Sequence, residues 1–326
     1  MTPPSRAGIG RRLRRAWASL ALLWAAAALA ALAPWSAAAQ QAPREAPAEP
    51  AACRAQIYES GFYKVCRYDP AKMRLALFNL DPAGQPFGAF GTLRDHLAAQ
   101  GERIVFAFNA GMFDEALKPI GLYIEAGRKL KALNRRAGYG NFHLKPNGVF
   151  YIREGRPGVL ETEAYARRFE REDVKPPEYA TQSGPMLVVD GKIHPAFMED
   201  SASRKFRNGV GVTAGGEAIF VISDLPVTFH AFGRFFRDGL KTPNALFLDG
   251  SLSSLFSPEL RRDDRARPLG PMVAAIARDA PQPEAAAAAP ARDEAAAAQP
   301  PSAQPQPRPR PATPPAAPPA VPPSAP

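Results

Sequence analysis

Residues 244–258, Asn244-Ala245-Leu246-Phe247-Leu248-Asp249-Gly250-Ser251-Leu252-Ser253-Ser254-Leu255-Phe256-Ser257-Pro258, decide how the rest of the chain is read. Ala245 to Leu248 is an apolar run of strand length that stops abruptly at Asp249-Gly250, with serines at 251, 253 and 254. A carboxylate leaving a buried strand into a Gly/Ser turn has a fixed backbone, and small hydroxyl neighbours leave room for a ligand and offer hydrogen bonds. The plain alternative is an Asp-Gly turn closing a hairpin.

Comparable strand ends recur upstream. Arg103 to Phe108 reads as a strand buried on both faces and finishes in Asn109-Ala110-Gly111-Met112-Phe113-Asp114. Asn141 to Phe150 is a turn, holding His143 and Asn147, that feeds another strand. In Thr181 to Lys192, Ser183 and Gly184 would let backbone N–H groups approach an anion, and Asp190-Gly191 marks a hairpin turn. Arg207 to Val212 is a strand with small residues on one side. Two further strands, 63–68 and 74–79, flank Asp69-Pro70, and Ile120 to Leu133 forms a hairpin in which Glu125 is a solvated turn residue.

Helical spacing is sparse. Leu93, His96 and Leu97 follow a candidate N-cap at Thr92 and stop at Gly101. Residues 161–178 read as a charged surface helix and loop, and Thr228 caps an amphipathic segment with Phe229, Phe232, Phe236 and Leu240 on one face. Strands therefore dominate, with two or three helices and several hairpins: an α+β fold around a mixed or antiparallel sheet core.

The two ends do not belong to that core. Arg11-Arg12-Leu13-Arg14-Arg15, the apolar run 16–33 and Ala37-Ala38-Ala39 make a signal peptide over 1–39, the alternative being an uncut anchor. Residues 40–52 read as a linker, 53–278 as the folded domain and 279–326, rich in Pro and Ala, as a disordered tail. Localisation is then periplasmic, with no stable membrane anchor after cleavage. The formal charge of +10 loses the five arginines of the signal segment, leaving +5 for residues 40–326. That mild excess suits anionic ligands, but no basic stripe with interleaved aromatics argues for nucleic acid. Cys53 and Cys66, the two cysteines of the chain, can close a small loop in an oxidising compartment. Four scattered histidines give no paired metal-ligand spacing, and no cofactor motif occurs.

Taken together, these blocks resemble the phosphodiester glycosidase family, and within it the bacterial, periplasmic YigE-type branch. The likeness runs from about Met73 to Ala275. Asn109, Gly111 and Phe113 match an N-x-G-x-F block, and Gly184 to Lys192 match G-G-P-x-L-V-x-D-G-K with Ser183 for the first glycine. Arg207 and Gly211 match the ends of R-T-A-I-G. Leu248-Asp249-Gly250 and Ser253-Ser254 match L-D-G-G-G-S-S, with Ser251 and Leu252 replacing two glycines and narrowing the space beside Asp249.

The resemblance implies an exported hydrolase that cleaves a sugar-1-phosphodiester at the glycosidic bond to phosphate, with no cofactor and no metal. Its partner would be a carbohydrate phosphodiester or an envelope glycan. A phosphate monoester leaves as a stabilised anion, which lowers the demand for a strong general acid. A carboxylate must activate water or attack the anomeric carbon, and Asp249 is the candidate, with Asn109 beside it. Arg207 is the candidate phosphate ligand, since a guanidinium binds two oxygens at once. Gly111, Phe113, Asn147, Ser183, Gly184, Gly250, Ser253 and Ser254 complete the expected substrate-binding set, and Asp114 and Asp224 are candidates for a second carboxylate. Two other readings stay open: a non-catalytic envelope protein that binds a glycan or phosphate-containing cell-wall ligand through the same pocket, and a metal-dependent phosphodiesterase.

Overall fold

The computed structural model describes residues 51–249 and 252–278. The expected signal peptide, nearly all of the linker, the Pro/Ala-rich tail and Gly250 lie outside the described residues. Three sheets carry the fold. The first has seven strands in the order β1 (Cys53–Tyr58), β2 (Gly61–Arg67), β13 (Ala218–Ser223), β12 (Asn208–Val212), β14 (Asn244–Phe247), β10 (Met186–Val189) and β11 (Lys192–Ile193). The second runs β16 (Arg262–Asp263), β15 (Leu255–Ser257), β4 (Ile104–Asn109), β17 (Met272–Ala277) and β3 (Met73–Phe78). The third runs β6 (Arg128–Lys131), β5 (Tyr123–Glu125), β9 (Tyr179–Ser183), β7 (Gly148–Arg153) and β8 (Arg156–Glu161).

Among the described residues every strand pair within these sheets is antiparallel, so of the two expected arrangements the core adopts the antiparallel one. With three short helices among the described residues beside the sheets, the fold is α+β as expected.

The sheets meet at Phe220. Its ring lies 5.8 Å from Phe106 and 5.6 Å from Phe108, both on β4, and 5.6 Å from Phe150 on β7. Side chains of all three sheets thus interlock at a single point of the core, where aromatic pairs add to plain area burial. Smaller apolar layers pack outside it. Helix α1 (Phe90–Ala98) covers the second sheet with Phe90, Leu93 and Leu97, and α2 (Thr162–Phe169) covers the third with Tyr165 and Phe169. Helix α3 (Phe229–Arg234) runs into a wider turn, Phe235–Gly239, that buries Phe232, Phe235 and Phe236 against the first sheet.

The caps follow local chemistry with one departure. Thr228 Oγ1 accepts from the Ala231 N–H at 3.1 Å, as expected. Helix α1 starts before Thr92, with Ala89 at the cap and no side-chain bond there, because Phe90 is buried against Phe256 and draws the first turn back. The wider turn after α3 moves Phe235 into the core, and Phe229 turns instead toward Arg207. Asp190 and Gly191 have φ of 46° and 76°, the two positive values a tight hairpin turn needs, so Asp190 is a turn residue. Cys53 and Cys66 form the disulfide across the β1–β2 pair.

Candidate active site

The ends of β4, β12 and β14 and the start of β15 meet at one place, and two buried asparagines join them. Asn109 terminates β4 and Asn208 begins β12; both are fully buried. Asn208 Nδ2 donates to Asn109 Oδ1 at 2.6 Å, and the Ser254 N–H donates to the same oxygen at 2.8 Å. Asn208 Oδ1 accepts from the Asp249 N–H at 3.0 Å. Because backbone N–H groups only donate, Ser254 and Asp249 fix which way both amides point. Asn109 Nδ2 is then left buried with no acceptor among the described residues. An unsatisfied buried donor costs about 1–3 kcal/mol.

Asp249 follows directly on Leu248, whose N–H donates to the Asn208 carbonyl at 3.2 Å and whose carbonyl accepts from Ser183 Oγ. Its own carbonyl accepts from Ser253 Oγ at 3.2 Å, and the residue is only 6 % exposed. The backbone bearing this carboxylate is therefore held on both sides.

Ser253 and Ser254 form part of the floor of a cleft of about 660 Å³. One wall is the segment Arg204–Phe206 and the other is the segment Arg262–Arg267. Charges in this cleft are only partly compensated. Arg262 pairs with Asp264 at 2.9 Å and with Asp224 at 3.0 Å, while Arg265 pairs with Asp263. Arg204, Lys205 and Arg267 are exposed and make no ion pair with any described residue. Three uncompensated cations around a polar floor favour an anionic ligand.

Arg207 is placed differently from the expectation of a side chain offered to phosphate. It is 2 % exposed, its guanidinium lies 3.5 Å over the Phe229 ring, and Nε and Nη2 donate to the carbonyls of Val227 at 2.9 Å and Ser203 at 3.2 Å. Burial pulls it down to about 10, still cationic at neutral pH. The aromatic face and the carbonyls turn it inward, where it ties the segment bearing Arg204 and Lys205 to the segment before α3.

The remaining expected residues serve mainly to hold the frame. Asn147 donates to the Phe142 carbonyl at 2.9 Å and accepts from Thr162 Oγ1 at 2.8 Å, which occupies its side chain. Gly184 packs against Asn147 and the Phe142 carbonyl, where a Cβ would stand 2.7–2.8 Å from its neighbours. The Gly111 N–H donates to Thr181 Oγ1 at 3.1 Å, and a Cβ there would collide with β9, so Gly111 permits the second and third sheets to approach. Ser183 is fully buried and Phe113 packs beside Gly270.

Of the two proposed second carboxylates, Asp114 Oδ1 accepts from the Ala116 and Lys118 N–H groups and closes an exposed turn. Asp224 is held by Lys64 at 3.0 Å as well as by Arg262. Glu125 departs from the solvated residue expected. It accepts from Tyr123 Oη at 2.9 Å and from the Asn79 N–H at 3.2 Å, and burial raises its carboxyl. His143 is bound to the Arg136 carbonyl through Nδ1 at 3.1 Å.

Sequence reasoning passed over Asn208 and the cation set of Arg204, Lys205 and Arg267. Asn109 closes an apolar run, whereas Asn208 begins β12 beside small residues and gave no comparable signal. Among the described residues no group of three or more His, Cys, Asp or Glu is arranged to hold a metal ion.

The phosphodiester glycosidase family matches residues 102–276, which include Asn109, Asn208, Asp249, Ser253 and Ser254. The uncharacterized protein YigE of Escherichia coli K12 is 34% identical over 188 residues, 58% of this chain and 71% of that protein. The catalytic domain of zebrafish N-acetylglucosamine-1-phosphodiester alpha-N-acetylglucosaminidase, auto-inhibited by its pro-peptide, superposes with a TM-score of 0.44 at 16% identity over 68% of this chain and 80% of that one. A putative exported protein from Burkholderia pseudomallei does so with a TM-score of 0.43 at 13% identity over 66% and 74%.

Proposed function

This chain belongs to the phosphodiester glycosidase family, and we propose that it is an exported hydrolase that cleaves a sugar-1-phosphodiester between the anomeric carbon and the phosphate oxygen. The observation that carries this reading is the junction of Asp249 with the cationic cleft. A carboxylate whose backbone is fixed by Asn208 and Ser253 adjoins serines on the floor of a pocket bearing three cations unpaired among the described residues.

In this mechanism the phosphate of the substrate lies among Arg204, Lys205 and Arg267, and its sugar lies toward Ser253 and Ser254. Asp249 takes a proton from water as the water oxygen forms its bond to the anomeric carbon. The C–O bond to phosphate breaks, its electron pair goes to the leaving oxygen, and the products are a reducing sugar and a phosphomonoester. The cations stabilise charge as it develops on that oxygen. Asn109 and Asn208 act by positioning, holding the Asp249 and Ser254 backbones at a fixed separation. Arg207 acts at one remove, through the wall it anchors. The disulfide between Cys53 and Cys66 fits an oxidising compartment and supports export.

A second reading, a binding protein without turnover, draws on Leu252. Its side chain lines the same cleft at a position where the family block has glycine, so it shortens the space beside Asp249. Reaction in oxygen-18 water separates the readings and fixes the bond broken. Label on the anomeric hydroxyl, with none in the phosphomonoester, is the expected result. Label in the phosphate would mean P–O cleavage, and no product at all would favour the binding protein.

A further inference from the structure

The cleft continues into an exposed apolar strip. Phe206 and Pro226 both line the cleft, and they face each other beside the antiparallel bridge of Lys205 with Val227. Leu225 precedes Pro226, and the N–H of its neighbour Asp224 donates to the Phe62 carbonyl at 2.8 Å, so the Leu225 backbone lies one residue from that contact. Phe62 is the cross-strand partner of Ile57, so those two side chains stand together on one face of the sheet. Phe206 is 51% exposed, Leu225 49%, Phe62 45% and Ile57 65%. A single exposed apolar side chain is ordinary; four on adjoining backbone segments beside a charged cleft are not.

The strip also lies at the right end of the sheet. Asn208 pairs with Ile222, and Ile222 pairs with Lys64, so Lys64 sits two strand spacings away, roughly 10 Å, and Phe62 lies two residues further along β2, at the end of the sheet from which Asp249 emerges. Lys64 points to the same side and reaches Asp224, which in turn holds Arg262 in the cleft.

We infer that the strip receives the non-sugar half of the substrate, and that this half is a hydrophobic chain: the site takes a sugar-1-phosphate esterified to a long alkyl or lipid alcohol. The inference rests on the proposed hydrolase reading. The order of features matches such a molecule from end to end, with polar serines for the sugar, Arg204, Lys205 and Arg267 for the phosphate, and Phe206, Leu225, Phe62 and Ile57 for the chain. Hydrolysis at the anomeric carbon then releases the free sugar and an alkyl phosphate, the latter still seated on the strip.

The test uses the purified chain and needs no turnover in its first arm. Calorimetry compares dodecyl phosphate, kept below its micelle concentration, with methyl phosphate, and uses uncharged dodecyl maltoside as control. Dodecyl phosphate is expected to bind at least about thirty-fold tighter than methyl phosphate, since even partial burial of its extra methylenes is worth that much. The variant Ile57→Gln/Leu225→Gln should lose most of the difference while binding methyl phosphate as before. Equal affinity for the two phosphates, equal binding of the maltoside, or a preference that survives the double substitution would each overturn the inference. So would a self-associated protein that Leu225→Gln turns into a monomer, because the strip would then belong to a second copy. A second arm compares kcat/KM for methyl and dodecyl diesters of one sugar-1-phosphate. Turnover of neither, with alkyl phosphate binding intact, would sink the hydrolase reading and leave the strip's preference standing. Equal kcat/KM for both would do the reverse.

Discussion

The amide of Asn208 donates to the side-chain oxygen of Asn109 across 2.6 Å, and this bond joins the seven-stranded sheet to the five-stranded sheet that carries β4 at the place where Asp249 emerges. Both partners are fully buried, so neither can exchange its bond for one to water. Removing Asn208 therefore affects two elements at once. Asn208→Ala strips Asn109 Oδ1 of one donor and the Asp249 N–H of its acceptor. The expected loss is about 2–4 kcal/mol in a denaturant titration, from the unsatisfied polar groups left behind, together with a fall in kcat that is larger than any change in KM. A variant with full activity and unchanged stability would contradict the role given to this pair.

The two kinds of arginine in the cleft wall predict opposite signatures. Arg207→Met removes bonds to two carbonyls and the contact over Phe229, and is expected to destabilise the fold by about 2–4 kcal/mol. Replacing Arg204, Lys205 and Arg267 together by Gln touches no ion pair among the described residues and should move stability by less than about 0.5 kcal/mol. Those three changes should instead raise KM about ten-fold or more and weaken its dependence on salt. Thermal melts beside steady-state kinetics at two ionic strengths distinguish the pair of outcomes.

Phe220 provides a control remote from the chemistry. Its ring meets Phe106, Phe108 and Phe150 where the sheets interlock. Phe220→Ala should cost about 3–5 kcal/mol in stability, with the activity of the folded fraction retained.

Tyr63 contributes to the alkaline limb of stability. Burial, more than the nearby Glu59, pushes its hydroxyl up from 10.0 to about 12. A folded value above the unfolded one means that the unfolded chain loses its proton first as pH rises. The contribution is therefore intact below pH 10 and disappears between pH 10 and about 12. Tyr63→Phe should flatten that part of the stability profile, read by chemical denaturation at several pH values, and leave it unchanged at pH 7 to 9.

Much of the site was legible because it lies at strand ends. Asn109 and Asp249 each close an apolar run, and a polar side chain at that position is visible in the order of residues alone. The strands and the Asp190-Gly191 hairpin were legible for the same local reasons. Asn208 was not, because a polar residue beside small ones in a strand reads as a solvent-facing position until the partner sheet is known. Arg207 was read by residue type. Its actual place is set by Phe229 and Phe247, which come later in the chain and close over it only in the folded state. The run from Arg261 to Arg267 holds four arginines and two aspartates, and which cation stays unpaired depends on Asp224 reaching Arg262 from another segment. The apolar strip was hidden likewise, since Phe62, Phe206 and Leu225 are far apart in sequence. Glu125 was misread because nothing local reveals that Asn79 and Tyr123 enclose it.

The central claim is that Asp249 is the carboxylate of glycosidic cleavage. It is tested most directly by phosphorus NMR of the purified chain with a panel of sugar-1-phosphodiesters, run beside Asp249→Asn. The predicted result is a new phosphomonoester resonance with an equivalent of reducing sugar for the native chain, and no such signal for the variant, which still binds the product phosphomonoester with an unchanged Kd. Cleavage by Asp249→Asn at the native rate would contradict the account.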